Sequence, residues 1–260
     1  MEKIFIDGNS LTLEEFINVV RNGYKVELTK KATEEVEKSR KLVDKYVEEE
    51  KVVYGITTGF GKFSDVSISK EETKKLQRNL IISHACGVGD PLDEEIVRGV
   101  MLLRANALAK GYSGIRLSTL NTLIDMLNKG VHPIIPEKGS LGASGDLAPL
   151  AHMVLVMLGE GEAYYKGERL SGKEAMDKAG ISIVELTSKE GLALINGTQV
   201  MTSIGALATY DGIKLSKMAD ITAALTVEAL NGITDAYDQR INQVRAHQGQ
   251  MDTSKNLLNL

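Results

Sequence analysis

Cysteine, long apolar runs and basic clusters are all scarce in this sequence. Cys86 is the only cysteine, so no internal disulfide can form, and we expect a reducing compartment, the cytoplasm. The longest apolar run, at 153–158, is far too short to cross a bilayer. The sequence has no basic block and no leader-like apolar segment at its start, so we expect no nucleic-acid partner, no membrane partner and no signal peptide.

What remains is the composition of an ordinary folded protein. Apolar residues make up 43% of the 260 residues, and the formal net charge is −4. That length is enough for one large domain, or for one domain with part of another. Helical patterns dominate: Thr12, Ser118 and Asp146 are predicted N-caps, Pro91 is a predicted helix start and Gly130 is a predicted helix end.

Strand signals are few. Residues 163–170 predict one short hairpin that turns at Lys166–Gly167. From about Thr198 to Val244 the pattern predicts one or two long helices. Gly205, Gly212 and Gly232 interrupt this pattern but need not break it. We therefore predict a mainly α fold with a short β-hairpin. In this fold an N-terminal domain (1–197) carries the site loops, and residues 198–260 begin a long-helix bundle.

The most unusual stretch is GSLGASGDLAP at 139–149. A nucleophile elbow requires Gly-x-Ser-x-Gly, whereas here the second glycine comes directly after Ser144 and no strand is evident before the loop. The glycines are spaced three apart, which is not dinucleotide-binding spacing, and a second glycine cluster at 54–63 lacks phosphate-loop spacing. The four histidines show no paired metal-ligand spacing, so we expect no metal site.

Another chemistry fits Ala143-Ser144-Gly145. Glycine lacks a Cβ, so the Gly145 nitrogen can approach the Ala143 carbonyl carbon at low steric cost and close a five-membered ring. Loss of water from that ring and from the Ser144 side chain leaves an exocyclic methylidene group. The product is a strong carbon electrophile built from the backbone. In the plainer alternative, Ser144 is a turn residue in a glycine-rich loop.

The longer stretch GSLGASGDLAPLAHM resembles the prosthetic-group motif of the aromatic amino acid ammonia-lyases. That family carries 4-methylidene-imidazol-5-one (MIO), formed autocatalytically from Ala-Ser-Gly, so the resemblance implies an MIO cofactor from residues 143–145 and no nucleotide cofactor. The stretches YGITTGFG, NLIISHACGVG and LINGTQ resemble further motifs of the family, in the family's order. The resemblance covers essentially the whole chain and implies a carbon–nitrogen lyase.

The resemblance also implies roles for single residues. Tyr54 is implied to be the base that removes the substrate's β-proton, a role that needs a stabilised phenolate because a tyrosine ordinarily has a pKa of about 10. His84 is implied to lie beside the substrate's ring, and Asn196 to contact the substrate's amino acid group and the MIO oxygen. Gly61 belongs to a glycine-rich loop suited to an active-site lid, and Asp146 is implied to support ring formation.

These residues also have plainer structural interpretations. Tyr54 can be a buried core tyrosine, and Asn196 can simply close a helix. His84 follows Leu76 and Leu80 at helical spacing, so that pattern alone favours a packed core histidine. The presence of several family motifs in the right order is what favours the functional roles.

The segments around Ser83-His84 and RAHQGQ at 245–250 resemble the histidine-specific members of the family most closely. The implied reaction is the non-oxidative elimination of ammonia from L-histidine, which gives trans-urocanate. Tyrosine-specific members also carry a histidine at the position of His84, so a tyrosine ammonia-lyase or aminomutase stays open as the alternative. Phenylalanine-specific members carry apolar residues there and are disfavoured.

The resemblance covers only the N-terminal half of a family member. A second catalytic tyrosine, the arginine that binds the substrate carboxylate and a downstream glutamate have no counterpart here. We therefore expect a partner: a C-terminal half supplied by a separate polypeptide, a homotetramer such as the family forms, or both. An incomplete fragment or a non-catalytic assembly module is the remaining alternative. The helices after residue 198 are expected to expose an apolar face.

Overall fold

The computed structural model describes residues 2–53, 55, 56, 58, 70–141 and 144–260, with only the backbone of residues 70 and 71. The chain divides into two compact units, Met1–Gly205 and Ala206–Leu260. Helices account for most of the regular structure and the strands are short, which confirms the mainly α fold.

The elements of the described residues are mostly helical. The helices are α1 (Leu13–Val20), α2 (Lys30–Glu48), α3 (Lys70–His84), α4 (Glu94–Ala109), α5 (Leu117–Lys129), α6 (Leu147–Met157), α7 (Gly172–Lys178), α8 (Glu190–Ile195), α9 (Gln199–Ala229), α10 (Gln239–Gln243) and α11 (Gln248–Asn259). The strands are β1 (Lys3–Ile6), β2 (Lys25–Leu28), β3 (Val88–Pro91), β4 (Val131–Pro133), β5 (Pro136–Lys138), β6 (Glu162–Tyr165) and β7 (Glu168–Ser171). β1 pairs with β2 in parallel, β3 pairs with β5 antiparallel, and β6 lies between β4 and β7 in an antiparallel sheet.

Two helix boundaries follow directly from the local sequence. Thr12 and Glu15 form a capping box at the start of α1, in which the Thr12 hydroxyl accepts from the Glu15 amide at 3.2 Å and the Glu15 carboxylate accepts from the Thr12 amide at 2.9 Å. Gly130 ends α5 with a φ of 78°, which costs glycine little. Both boundaries are as predicted, because the groups that form them are close in sequence.

Two predicted helix starts are wrong. Pro91 lies in β3, which pairs with β5, and α4 begins only at Glu94. Ser118 lies inside α5, whose N-cap is Arg116. The Arg116 amide donates to the carboxylate of Glu190 at 3.1 Å. In both places a partner that is distant in sequence sets the boundary.

The predicted hairpin is confirmed. β6 and β7 are joined by Lys166 and Gly167, whose φ values are 50° and 82°. Two successive residues with positive φ are what a type I′ turn requires, and its twist matches that of the flanking strands. The other strands were not predicted, because most of them are short and pair with segments remote in sequence.

The core of the first unit is built around α4, α5 and α6. The fully buried apolar side chains of these helices include Val100, Met101, Leu102, Leu108, Leu120, Leu123, Met126, Leu150, Met153, Val154, Val156 and Met157. Burying one such side chain stabilises the fold by about 1.5–3 kcal/mol before entropy is counted. The start of α6 is therefore fixed to a well-packed core.

α9 runs without a break through Gly205 and Gly212. It ends just before Asn231, which takes a φ of 52°, and the amide of Gly232 donates to the carbonyl of Val227 at 2.7 Å. The expectation that the helical pattern passes Gly232 unbroken is therefore wrong. The left-handed residue and the returning hydrogen bond are typical of a helix C-terminus.

Several apolar side chains of α9 in the second unit are exposed, as expected. Their exposed fractions lie between 40% and 71% for Ile213, Leu215, Met218, Ile221 and Leu225. Among the described residues, no helix has the length and apolar character needed to cross a membrane.

Candidate active site

The structure describes most of the predicted site. Ser144, Gly145, Asp146, His84 and Asn196 lie within the described residues. Tyr54, Gly61 and Ala143 lie outside them, so the roles of these three stay predictions.

The residues that follow Ala143 form a tight bend ahead of α6. Ser144 is exposed, Gly145 is half-buried and Asp146 is buried. Gly145 has a φ of +95°, and a Cβ added there would lie 2.3 Å from the carbonyl oxygen of Gly197. No other amino acid fits this position without moving one of the two backbones. The bend therefore presents the Ser144 side chain outward while Gly145 packs against the Asn196–Gly197 segment.

Asp146 occupies the N-cap position of α6, as predicted, but its side chain caps a different helix. Its side chain makes no capping hydrogen bond to α6. One carboxylate oxygen instead accepts from the amides of Val200 at 2.9 Å and Met201 at 3.0 Å, in the first turn of α9. The other accepts from the hydroxyl of Ser140 at 2.7 Å. The first turn of α9 offers free N–H groups and the positive end of a helix dipole, so a carboxylate is well suited to it.

Asn196 closes a helix, as its plainer interpretation predicted, and its functional role stays a prediction. It is the C-cap of α8, and its amide donates to the carbonyl of Leu192 at 3.0 Å, so it does close a helix. Asn196 is nevertheless exposed. It directly precedes Gly197, which packs on Gly145. The structure thus brings Asn196 and the Ser144 bend next to each other, as a site that uses both requires.

Arg104 of α4 was missed by the sequence reasoning. It is only 5% exposed, and its guanidinium donates to the carbonyl of Asn196 at 2.8 Å, to the side-chain oxygen of Gln199 at 2.9 Å and to the carbonyl of Ala193. Burial lowers the pKa of Arg104 to about 10, which leaves it charged at neutral pH. The signal that could have found it is a single arginine inside the apolar stretch MLLRANALA, because a buried charge needs specific partners.

His84 is the last residue of α3 and is half-buried. Its Nδ1 lies 2.8 Å from the carbonyl oxygen of Leu80. A carbonyl only accepts, so in this pair Nδ1 carries the hydrogen, and Nε2 is the acceptor of the neutral ring. The buried side of α3 is formed instead by Thr73, Gln77 and Ile81. The interpretation of His84 as a packed core residue is therefore wrong.

The segment that follows α3 contacts Gly139, at the start of the glycine-rich stretch 139–149. The amide of Gly87 donates to Nε2 of His152 in α6 at 3.0 Å, and burial lowers the pKa of His152, which favours the neutral, accepting ring. A Cβ added at Gly139 would lie 2.9 Å from the Cα of Gly87. In α8, the amide of Gly191 donates to the side-chain oxygen of Gln77 at 2.8 Å. The middle of α3 thus contacts the start of α8, and the segment that follows α3 contacts Gly139 and the middle of α6.

Across the described ranges, no group of three or more His, Cys, Asp or Glu side chains is arranged to hold a metal ion. His132 has protein partners instead: Nε2 lies 3.1 Å from Arg98, and Nδ1 lies 3.3 Å from the Glu94 carboxylate. Burial lowers the pKa of His132 to about 4; the Glu94 charge opposes this shift, and the Arg98 charge contributes to it. The ring is therefore neutral at neutral pH.

Comparison with known proteins gives a consistent result. A family model described as aromatic amino acid lyase matches residues 11–260. The histidine ammonia-lyase of Alkaliphilus oremlandii is 71% identical over 257 residues, which is 99% of this chain and 51% of that protein. A histidine ammonia-lyase structure from Trypanosoma cruzi has a TM-score of 0.92 at 37% identity, over 98% of this chain and 49% of that one. The phenylalanine aminomutase of Pantoea agglomerans has a TM-score of 0.91 at 36% identity, over 100% of this chain and 50% of that one.

This mainly helical scaffold is thus shared with solved lyases and aminomutases. The chain belongs to the aromatic amino acid lyase family. It spans about half the length of the curated relatives that it matches.

Proposed function

We propose that this chain supplies the MIO-bearing part of a histidine ammonia-lyase, which eliminates ammonia non-oxidatively from L-histidine to give trans-urocanate. The observation that carries the proposal is the contact between the Ser144-Gly145-Asp146 bend and the Asn196–Gly197 segment. It joins the predicted electrophile and the predicted substrate-binding amide in one place. The names of relatives such as the Alkaliphilus oremlandii enzyme, at 71% identity, support histidine as the substrate.

The residues present fit the MIO group. Ring closure forms a bond from the Gly145 nitrogen to the Ala143 carbonyl carbon. The first water lost is made of the Ala143 carbonyl oxygen and the amide hydrogens of Ser144 and Gly145. The second water lost is made of the Ser144 hydroxyl group and the Ser144 Cα hydrogen. The absence of a Cβ at Gly145 lets this residue pack against the Gly197 carbonyl. The finished group supplies a carbon electrophile that activates the substrate for loss of its amine.

The remaining residues bind and deprotonate the substrate in this proposal. His84 accepts a hydrogen bond at Nε2 from the N–H of the substrate imidazole, since its Nδ1 hydrogen is engaged by Leu80. Asn196 binds the amino acid end of the substrate from the exposed end of α8. Tyr54, on the glycine-rich loop that includes Gly61, removes the β-proton.

The site is completed by groups from another chain segment in this proposal. The arginine that binds the substrate carboxylate and a second tyrosine come from the part of the relatives that this chain does not span, carried either on the same polypeptide or on a separate one. The complete enzyme is a cytoplasmic homotetramer. The exposed apolar residues of α9, such as Leu215 and Leu225, support packing against further helices.

One experiment tests the whole proposal. The chain is expressed together with the missing half, and its intact mass is measured. Urocanate formed from L-histidine and the products formed from L-tyrosine are then followed in separate assays. We expect a mass lower by two waters, urocanate from L-histidine and slow or no turnover of L-tyrosine. Ser144→Ala is the control, which keeps the fold but cannot form the methylidene group. A full, unmodified mass contradicts the MIO assignment, and preferred turnover of L-tyrosine favours the tyrosine ammonia-lyase or aminomutase alternative.

A further inference from the structure

Arg104 carries a buried charge that the proposed chemistry does not use. It is 5% exposed, and burial is the cause that lowers its pKa to about 10, with no charged neighbour contributing among the described residues. Burying an unpaired charge is costly. The cost is offset in part because Nη1 and Nη2 donate to oxygen acceptors, whereas Nε has no hydrogen-bond partner among the described residues. The position of those acceptors is therefore tied to Arg104.

The acceptors all belong to the segment that ends α8 and begins α9. Arg104 Nη1 donates to the Asn196 carbonyl at 2.8 Å and to the Gln199 side chain at 2.9 Å, and Nη2 donates to the Ala193 carbonyl. Charge-assisted hydrogen bonds of this kind are stronger than neutral ones, and the planar guanidinium gives them a fixed geometry. The Asn196–Gly197 backbone is therefore held from the α4 side.

Gly197 is packed between this guanidinium and the ring-forming bend. A Cβ added at Gly197 would lie 2.3 Å from Arg104 Nη1. On the other side, the carbonyl of Gly197 accepts from the Asp146 amide at 2.5 Å and lies 2.3 Å from where a Cβ of Gly145 would be. One peptide segment thus connects the buried cation to the bend.

We propose that Arg104 is a positioning residue for MIO formation: it fixes the Gly197 carbonyl, and that carbonyl keeps the Gly145–Asp146 peptide in the conformation from which the ring closes. The inference rests on the proposed function, because it concerns the same ring. Closure requires the Gly145 nitrogen to stay near the Ala143 carbonyl carbon, and restricting a chain to such an arrangement can accelerate a reaction by many orders of magnitude. Without Arg104 the Gly197 segment can recede, and the bend can relax to an open loop.

The test is chemical rescue of ring closure in the full chain, expressed with the missing half. Arg104→Ala is purified, and the mass of the peptide around residues 139–147 is followed over time. At early times we expect the closed fraction to be lower than in the unsubstituted protein by about tenfold or more. This is the effect of slowing ring closure by one order of magnitude. Added methylguanidinium should restore closure with time, while methylammonium should not. A normal closed fraction in folded Arg104→Ala overturns the proposal.

Arg40 provides a matched control. It is also buried, and its guanidinium donates to the carbonyls of Gly114 at 3.1 Å and Ser188 at 3.0 Å, away from the bend. Arg40→Ala should lose stability but keep the closed ring. If the Arg104→Ala protein does not fold, Arg104→Lys is compared with Arg40→Lys. Lysine keeps the positive charge but lacks the planar guanidinium. Equal closure in those two proteins also overturns the proposal.

A second readout separates this inference from the function on which it rests. If the unsubstituted protein has an open loop, the MIO assignment itself fails. Hydrogen exchange at the Asp146 amide, which donates to Gly197, then decides the positioning role alone. A loss of protection of about tenfold or more in Arg104→Ala, but not in Arg40→Ala, supports it. Equal protection in both variants overturns it.

Discussion

The amide of Asp146 donates to the carbonyl oxygen of Gly197 at 2.5 Å, while the carboxylate of the same residue accepts from the amides of Val200 and Met201. A single residue therefore binds the segment between α8 and α9 with both its main chain and its side chain. This makes the ring-forming bend and the first turn of α9 one structural unit.

Removing the Asp146 carboxylate should destabilise the protein. Asp146→Ala leaves two amides of α9 without their acceptor and removes a favourable charge from the helix N-terminus, so we expect the free energy of unfolding to fall by about 1–3 kcal/mol. Urea denaturation measures this. Asp93→Ala is the matched control, because Asp93 is the N-cap of α4 but makes no side-chain capping bond. Similar losses in the two variants would contradict the capping role of Asp146.

Adding one methyl group at Gly145 should be more harmful than adding it at a glycine with positive φ that has open space around it. The new Cβ lies 2.3 Å from the Gly197 oxygen, so we expect Gly145→Ala to lose about 2 kcal/mol or more of stability and to keep an open loop. Gly180→Ala is the control: Gly180 has a φ of +61° and nothing within 4 Å of the added Cβ. It should lose only the cost of the backbone conformation, about 1 kcal/mol. Denaturation and the mass of the loop peptide measure both effects.

His84 should control the substrate and not the cofactor. Replacing it by phenylalanine removes the Nε2 acceptor, so we expect kcat/KM for L-histidine to fall by about 30-fold to 100-fold, as for the loss of one buried hydrogen bond. The two-water mass loss should persist, because the ring forms from other residues. Ser83→Ala serves as the control, since the Ser83 hydroxyl also lies near the Leu80 carbonyl, at 3.0 Å, but is expected to leave kcat/KM nearly unchanged. An open loop in His84→Phe would contradict the separation of roles.

His132 should make the fold sensitive to mild acid. Burial lowers its pKa to about 4 in the folded protein, against about 6.5 in the unfolded chain. Between these two values the unfolded chain binds the extra proton, so the free energy of unfolding decreases as the pH falls from about 6.5 to about 4. Below that range the total loss from this group is about 3 kcal/mol.

The measurement is urea denaturation at several pH values for the unsubstituted protein and for His132→Gln. We expect the variant to lose less stability between about pH 6.5 and pH 4, since glutamine does not titrate. His247→Gln is the control, because His247 is exposed. An identical pH dependence in the unsubstituted protein and His132→Gln would show that other groups cause the acid sensitivity.

Local patterns predicted those elements whose determinants are close in sequence. Thr12 and Glu15 form their capping box within one turn, and Lys166–Gly167 forms its hairpin between neighbouring strands. Tertiary partners decided the failures. Pro91 pairs in a strand with β5, and Asp146 caps a helix that begins far along the chain.

The site could be predicted in part for the same reason. Ser144, His84 and Asn196 belong to contiguous motifs that a single sequence displays. Arg104 lies in none of those motifs, and its acceptors at Ala193, Asn196 and Gln199 become visible only once α4 and α8 are packed together. Residues that act through the backbone of others leave little trace in a local pattern.

The bond from Asp146 to the first turn of α9 has a consequence for the order of events during synthesis. Residues 139–146 emerge from the ribosome well before Gly197, Val200 and Met201, the partners that fix the bend. While those partners are still unmade, the bend lacks its packing surface, and its amides and carboxylate face water. If the ring forms as proposed, the nascent chain therefore keeps an ordinary serine until the α8–α9 connection exists, and no electrophile forms in a half-made protein.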